Sequence, residues 1–397
     1  MDHMDHRSLG EQLELFHFED EAPGSVFWHP RGFALYGAVE GYMRRRNAAA
    51  GYQEVRSPAM LRRSVWERSG HWEHFHENMF VVGEDAEHPL ALKPMNCPGH
   101  VRIFRHRVRS WRDLPIRLCE FGQCHRNEPS GALHGLLRLK AFVQDDGHIF
   151  CREEQVGGEV AKFCNLLASV YADFGFGSFE AAMSLRPGRR SGSDAQWDLA
   201  EAMLASAAAA AGLSASRVPG EGAFYGPKLE FSLRDRRGVA WQCGVIQLGI
   251  IQPEMMGASY RDGEDGRIPP VMLHRAVLGS LERFIGMLLE HHDGDLPPWL
   301  APEQVAVIPV ADRHRGRAAE VRDALGQAGL RARLADGQDR MSAKVRSAAM
   351  MRIPAIAVVG DRELSDVSVS LRFAGQESGM QLAGAAAALA AWASPPG

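Results

Sequence analysis

The sequence predicts an α+β protein, an antiparallel sheet with flanking helices, followed by a small α/β unit. Three observations carry this expectation. Residues 1–299 contain the strand-like runs LPIRLCEFG, LLRLKAFVQDD, KLEFSL and AWQCGVIQL, joined by long irregular connections and not by regular crossover helices. That pattern suits antiparallel pairing with helices laid on the sheet. Residues 300–397 instead alternate short apolar runs with helical periods. Between the two parts, LPPWLAPEQ places Pro297, Pro298 and Pro302 where no helix can continue, and gives a stiff connector.

In the first part, helices are expected over Gly32–Ala50, Glu154–Phe174 and Asp194–Ala211, from their apolar spacing. After the connector, QVAVIPV reads as a buried strand and HRGRAAEVRDALGQAG as an amphipathic helix ending at a glycine cap. LRARLAD is a second strand, SAKVRSAAMMR a helix and PAIAVVG a third strand. VSVSLRF is an alternating strand, and the alanine-rich tail a last helix. Strands alternating with helices imply a parallel or mixed sheet covered by helices.

Composition excludes more than it selects. With 45% hydrophobic and 24% charged residues, the chain is neither disordered nor fibrous. A net charge of -4 gives no global attraction to nucleic acid, so RNA binding must rest on local patches. The six cysteines form no CxxC pair and the polar N-terminus is no secretory leader, which points to reduced thiols in the cytoplasm. The alanine-dominated stretches fall short of the roughly 20 apolar residues a membrane-spanning helix needs.

Neither GxGxxG after a strand nor GxxxxGK[ST] is present, so the familiar phosphate loops are excluded. The informative stretch is LCEFGQCHRNEPSGALHGLLRLKAFVQDDGHIF, a strand, a polar loop and a return strand. Arg126, His134 and Arg138 lie in or beside the loop, with Phe142 and Asp146 on the return strand. Such a hairpin could set a guanidinium on a phosphate while an aromatic ring stacks on a base. It could equally be an exposed hairpin with ordinary surface charges.

The same stretch resembles the second signature of class II aminoacyl-tRNA synthetases, and HRNEPSGALHG with QDDGHIFC resembles the threonyl branch of that family. RSPAM resembles the first signature, a strand at a dimer interface, and HRAVLGSLERFIGMLLE the third. LKPMNCPGH, SGHWEHFHENMF, GEGAFYGPK and WQCG followed by QL add agreement, so the resemblance covers nearly the whole chain. It implies a catalytic domain at 1–299 and an anticodon-binding domain at 300–397. The implied activity is activation of threonine by ATP with Mg2+ and transfer to the 3′ end of tRNA(Thr), by a homodimer.

By the same resemblance, Arg126 grips the ATP α-phosphate, where charge must be neutralised in the transition state. Glu128 accepts from the adenine amino group, Phe142 and Arg283 sandwich the adenine, and Arg138 reaches the triphosphate tail. Gln242 also belongs to the ATP site. Met95, Gln144, Asp146, Tyr225 and Gln247 surround the amino acid, with Asp146 facing its ammonium and Lys228 near its carboxylate or the nucleotide. His71 is implied as a base for the terminal ribose hydroxyl. Arg346, Arg352, Glu363 and Arg372 are implied readers of the anticodon. Taken singly, Phe142 reads as core, Arg283 as a helix residue paired with Glu282 or Glu290, and the C-terminal charges as solvated surface.

The resemblance further implies Zn2+ held by Cys97, His148 and His274, a set that spacing among 17 histidines would not reveal. Three protein ligands leave a position open, as catalytic zinc does. A site that must bind a hydroxyl rejects valine strongly, whereas serine lacks only a methyl and differs by about 1–3 kcal/mol. The chain is expected to lack an editing domain, and so to make Ser-tRNA that it does not clear. It departs from the family at Val245 for a threonine, Gly249 for an acidic residue, QPEMM for an LPxRF-like stretch, Lys140 for an arginine and Gln338 for an asparagine. Two other readings stand beside the first. One is a paralogue adenylating a β-hydroxy amino acid for a non-tRNA acceptor. The other is a non-catalytic RNA-binding relative.

Overall fold

The computed structural model describes residues 5–83, 87–235, 237–264, 266–366 and 368–397. By internal contacts the chain divides into two compact units. One comprises the stretch ending at His17 with Val26–Tyr42 and Leu288–Gly397; the other comprises Phe18–Ser25 with Met43–Met287.

The second unit is organised on an eight-stranded sheet. Its strands in chain order are β1 (Gln53–Glu54), β2 (Ile116–His125), β3 (Ala141–Cys151), β4 (Glu180–Ser184), β5 (Ser216–Val218), β6 (Lys228–Arg234), β7 (Ala240–Gly249) and β8 (Val271–Ser280). They lie in the order β5-β4-β6-β7-β8-β3-β2-β1. Only the outermost pairs, β5 with β4 and β2 with β1, are parallel; the central pairs are antiparallel. The α+β arrangement expected from the sequence is therefore present.

Helices form at Pro30–Ala49 (α1), Cys97–Phe104 (α2), Val156–Asp173 (α3), Asp194–Ala210 (α4) and Leu281–His292 (α5). Helix α4 starts at a capping box, Ser193 with Gln196. Helix α2 carries proline in its first turn, where the missing N–H costs nothing, and stacks Phe104 on Phe150 with centroids 4.3 Å apart.

Two expected strands differ. LLRL is not part of the return strand: Gly135–Leu137 is a 3-10 turn, and β3 begins at Ala141. Leu136, Leu137 and Leu139 are all buried, and a turn can bury adjacent leucines where a strand would alternate them. In RSPAM only Met60 enters a strand, Met60–Arg62. Pro58 has no N–H to give a ladder.

The chain after the connector forms a five-stranded mixed sheet. Its strands are β9 (Val305–Pro309), β10 (Ala332–Leu334), β11 (Ala355–Val359), β12 (Ser368–Phe373) and β13 (Gln376–Gln381), in the order β10-β9-β11-β12-β13. Helices α6 (Arg315–Gln327), α7 (Met341–Met350), α8 (Asp361–Ser365) and α9 (Leu382–Trp392) alternate with these strands, and Val305, Val307, Val321, Leu325, Leu371 and Leu389 share one core. Strand β13 was not expected, because GQESGMQ has no apolar alternation. The turn explains it: Ala374 and Gly375 have φ of 51° and 74°, the backbone that closes a two-residue hairpin.

Candidate active site and metal centre

Strand register builds the site. Lys228 lies opposite Gln247, Gln247 opposite His274, and His274 opposite His148, a row crossing β6, β7, β8 and β3. Along β3, a side-chain period of two puts Phe142, Gln144, Asp146 and His148 on one face. Asp145 and Gly147 therefore belong to the other face, where Asp145 bonds the buried Arg275 guanidinium at 3.0 Å. A Cβ on Gly147 would lie 2.6 Å from Arg275 Nε, so a larger residue there would displace the guanidinium.

A cavity of about 390 Å3 opens over that first face, within the usual range of small-molecule sites. Every residue expected to hold ATP, amino acid or metal lines it: Met95, Cys97, Arg126, Glu128, Arg138, Phe142, Gln144, Asp146, His148, Tyr225, Lys228, Gln242, Gln247, His274 and Arg283. Arg126 Nε donates to Pro94 O at 3.2 Å, and its guanidinium lies 5.2 Å from the Phe142 ring centre. Arg283 donates to Leu137 O at 2.8 Å and to Gln242 O at 2.7 Å. Arg138 and Glu128 bond each other at 2.8 Å. Lys228 pairs with Glu230 at 2.8 Å, and Gln247 donates to Gly226 O at 3.1 Å. Tyr225 OH sits 3.9 Å from Met95 Sδ. Asn96 Nδ2 donates to Asp146 Oδ2 at 2.9 Å, while burial raises the Asp146 carboxyl to about 6.

Cys97, His148 and His274 come together, their candidate ligand atoms all within 4.8 Å of one another and all three residues buried. His148 Nε2 and His274 Nδ1 face each other at 3.0 Å. Burial lowers both imidazoles, His274 to about 3, so they are neutral, as ligands must be. Burial and the neighbouring Asp146 push the Cys97 thiol up. One soft sulfur and two imidazole nitrogens converging in a buried corner are a donor set suited to zinc.

His71, the implied base for the ribose hydroxyl, does not line the cavity but is fully buried behind Cys97. Its Nδ1 contacts Ser69 Oγ at 2.8 Å and its Nε2 the Cys97 sulfur at 3.5 Å. Glu363 also departs from expectation. It is 7% exposed, with one carboxylate oxygen accepting from Gly360 N at 2.9 Å and the other from Ser370 Oγ at 2.7 Å. It caps α8 and braces β12, so it is not presented to a base. Arg346, Arg352 and Arg372 are exposed.

Sequence reasoning missed the layer behind the cavity. His100, the last residue of LKPMNCPGH, meets His148, and Glu120 holds His100. Gln252, inside the divergent QPEMM stretch, is fully buried with Nε2 3.8 Å from Cys97 Sγ. Two departures lie at the cavity and its metal corner. Val245 lines the cavity as an apolar group, and Gly249 lies beside His274, where a Cβ would stand 3.1 Å from Nε2. That buried Nε2 has no hydrogen-bond partner among the described residues.

Comparison with known proteins identifies the family. Residues 80–292 match the tRNA synthetase class II core domain (G, H, P, S and T), and residues 304–392 the anticodon binding domain. The chain is 52% identical over 371 residues to a threonine--tRNA ligase of Ralstonia nicotianae, covering 94% of this chain and 58% of that protein. To the one from Gluconacetobacter diazotrophicus it is 51% identical over 395 residues, covering 99% and 62%. It thus spans about three fifths of these relatives' length. A solved structure titled as the RNA binding domain of threonyl-tRNA synthetase from Cryptosporidium parvum Iowa II is 37% identical, covers 99% of both chains and superposes with a TM-score of 0.95.

Proposed function

We propose, from the premise that this chain belongs to the threonyl branch of the class II aminoacyl-tRNA synthetases, that it activates threonine with ATP and transfers it to the 3′ end of tRNA(Thr). One observation carries the reading: Cys97, His148 and His274 converge in the same cavity as Arg126, Phe142 and Arg283. The division of labour is a catalytic domain at 1–299 and an anticodon-binding domain at 300–397, the latter presenting Arg346, Arg352 and Arg372.

In the first half-reaction the threonine carboxylate attacks the α-phosphorus of Mg2+-ATP. The bond to the β-phosphate oxygen breaks and pyrophosphate leaves. Arg126 lies where it can neutralise charge growing on the α-phosphate, and Arg138 reaches the leaving phosphates. Phe142 and Arg283 hold the adenine between a ring and a planar cation, with Arg283 pinned by two backbone carbonyls. Asp146 accepts an N–H of the substrate amino group; Gln144, Gln247, Tyr225 and Met95 close around the side chain, and Lys228 and Gln242 border the carboxylate and nucleotide. Cys97, His148 and His274 would hold the zinc, which would supply a Lewis acid for the amino acid's polar groups. In the second half-reaction the terminal ribose hydroxyl attacks the acyl carbon and AMP leaves, the hydroxyl proton passing to phosphate or solvent.

We further read the enzyme as a cytoplasmic homodimer. Its six cysteines are all buried and unpaired, as in a reducing compartment, and no helix among the described residues is long and apolar enough to cross a membrane. The decisive experiment is threonine-dependent ATP–pyrophosphate exchange, then transfer to tRNA, with zinc content measured on the same sample. Exchange and transfer with one zinc per chain support the reading. Exchange without transfer gives the non-tRNA adenylating paralogue, and no exchange a non-catalytic RNA-binding relative.

A further inference from the structure

We infer that His100, anchored by Glu120, is the positioning residue that presents His148 Nε2 to the metal, and that it works alone because His274 has no equivalent support. This rests on the metal reading above. The argument follows hydrogen-bond direction through a buried chain. Glu120, 3% exposed, receives four donors: Lys93 Nζ at 2.8 Å, Ser57 N at 3.0 Å, Ser57 Oγ at 2.7 Å and His100 Nε2 at 3.0 Å. An ionised carboxylate only accepts, so His100 must carry its proton on Nε2. In the neutral ring its Nδ1 is then a lone pair. That lone pair meets His148 Nδ1 at 2.8 Å, so His148 donates from Nδ1. The proton on Nδ1 leaves His148 Nε2 bare, and Nε2 is the nitrogen that faces His274 Nδ1 at 3.0 Å. The tautomer and tilt of a ligand two side chains away are thus set by one carboxylate.

The other imidazole has no such brace. His274 Nε2 is buried without a partner among the described residues. Position 249, where a Cβ would lie 3.1 Å from that Nε2, is glycine and offers no side-chain acceptor. The pair of histidines is therefore oriented from one side only. Ser57 and Lys93 tie the same carboxylate to the segment before Met60–Arg62 and to the one before α2, so the brace is built into the fold.

The test uses the full chain and zinc alone, with affinity read by competition against a chromogenic chelator. His100→Gln keeps a donor near Glu120 but offers no acceptor at the Nδ1 position. His100→Asn keeps an oxygen acceptor at that position and gives up the bond to Glu120. Losing an outer-sphere partner of a ligating histidine weakens metal binding about 10–100-fold. His100→Gln is expected to fall in that range, and His100→Asn to lose less. Equal affinity of His100→Gln and the unaltered chain overturns the inference, as does a greater loss in His100→Asn. If either variant does not fold, the unaltered zinc-loaded chain still decides. In 15N-histidine spectra His148 should carry its proton on Nδ1, and a proton on Nε2 overturns the relay. An unaltered chain that binds no zinc sinks the metal reading itself, a separate result.

Discussion

Replacing Arg275 with methionine isolates the ion pair beneath the sheet. Arg275 and Asp145 are 0% and 1% exposed and bond at 3.0 Å. The guanidinium also donates to Asn47 Oδ1 at 2.8 Å and lies 4.1 Å from the Tyr52 ring centre. Asp145 Oδ2 accepts from Val277 N at 2.9 Å and Leu278 N at 3.2 Å. Methionine fills similar length but leaves the carboxylate buried without its cation, which costs about 3–5 kcal/mol. For a unit of this size that is a fall in Tm of roughly 6–20 °C. The second arm is Arg275→Met combined with Asp145→Asn. The amide oxygen still accepts from Val277 and Leu278, but no charge is stranded, so about 2 kcal/mol should return. Thermal unfolding of the full chain is followed transition by transition, since two units need not melt as one. A single variant within about 1 kcal/mol of the parent, or a double variant weaker than the single, refutes the view that buried charge pairing dominates this face.

Cys97→Ser should lose zinc and, with it, preference against valine: discrimination of about 10^4 or more, typical of a site that binds a hydroxyl, should fall towards about 10^2. Pyrophosphate exchange with each amino acid measures it, and an unchanged ratio in a zinc-free variant would contradict the proposed function. Serine should support exchange at about 10–200-fold lower efficiency than threonine; exchange as efficient as with threonine would count against that. Glu282, 4% exposed, takes the Val143 N–H with both carboxylate oxygens, and burial raises it from 4.5 to about 8. The folded state therefore binds the extra proton between these values, and its stability falls as pH rises through 8. Between pH 6 and 8 this group should cost about 2 kcal/mol. Glu282→Gln keeps the acceptor for Val143 and should flatten that slope, so parallel melting curves for parent and variant across this range would exclude a protonated Glu282.

The sequence by itself determined the class of fold and the faces of its strands. QDDGH alternates, so once its strand is known Asp146 and His148 must share a side, and Asp145 must leave it. The three prolines fix a break before the C-terminal sheet whatever surrounds them. Long ordered motifs carried the site residues by resemblance, and the cavity gathers them. What the sequence left open is where apolar patterning fails. Strand β13 is polar on an edge, and the leucines before Ala141 are buried in a turn. Tertiary structure alone decided the convergence of Cys97, His148 and His274, the last two separated by 126 positions. It alone showed Glu363 spent on a cap and His71 behind Cys97. The physical reason is that strand register and helix docking are set by summed burial across the whole sheet, which no local window contains, and the direction of a buried hydrogen bond exists only once both partners are in place.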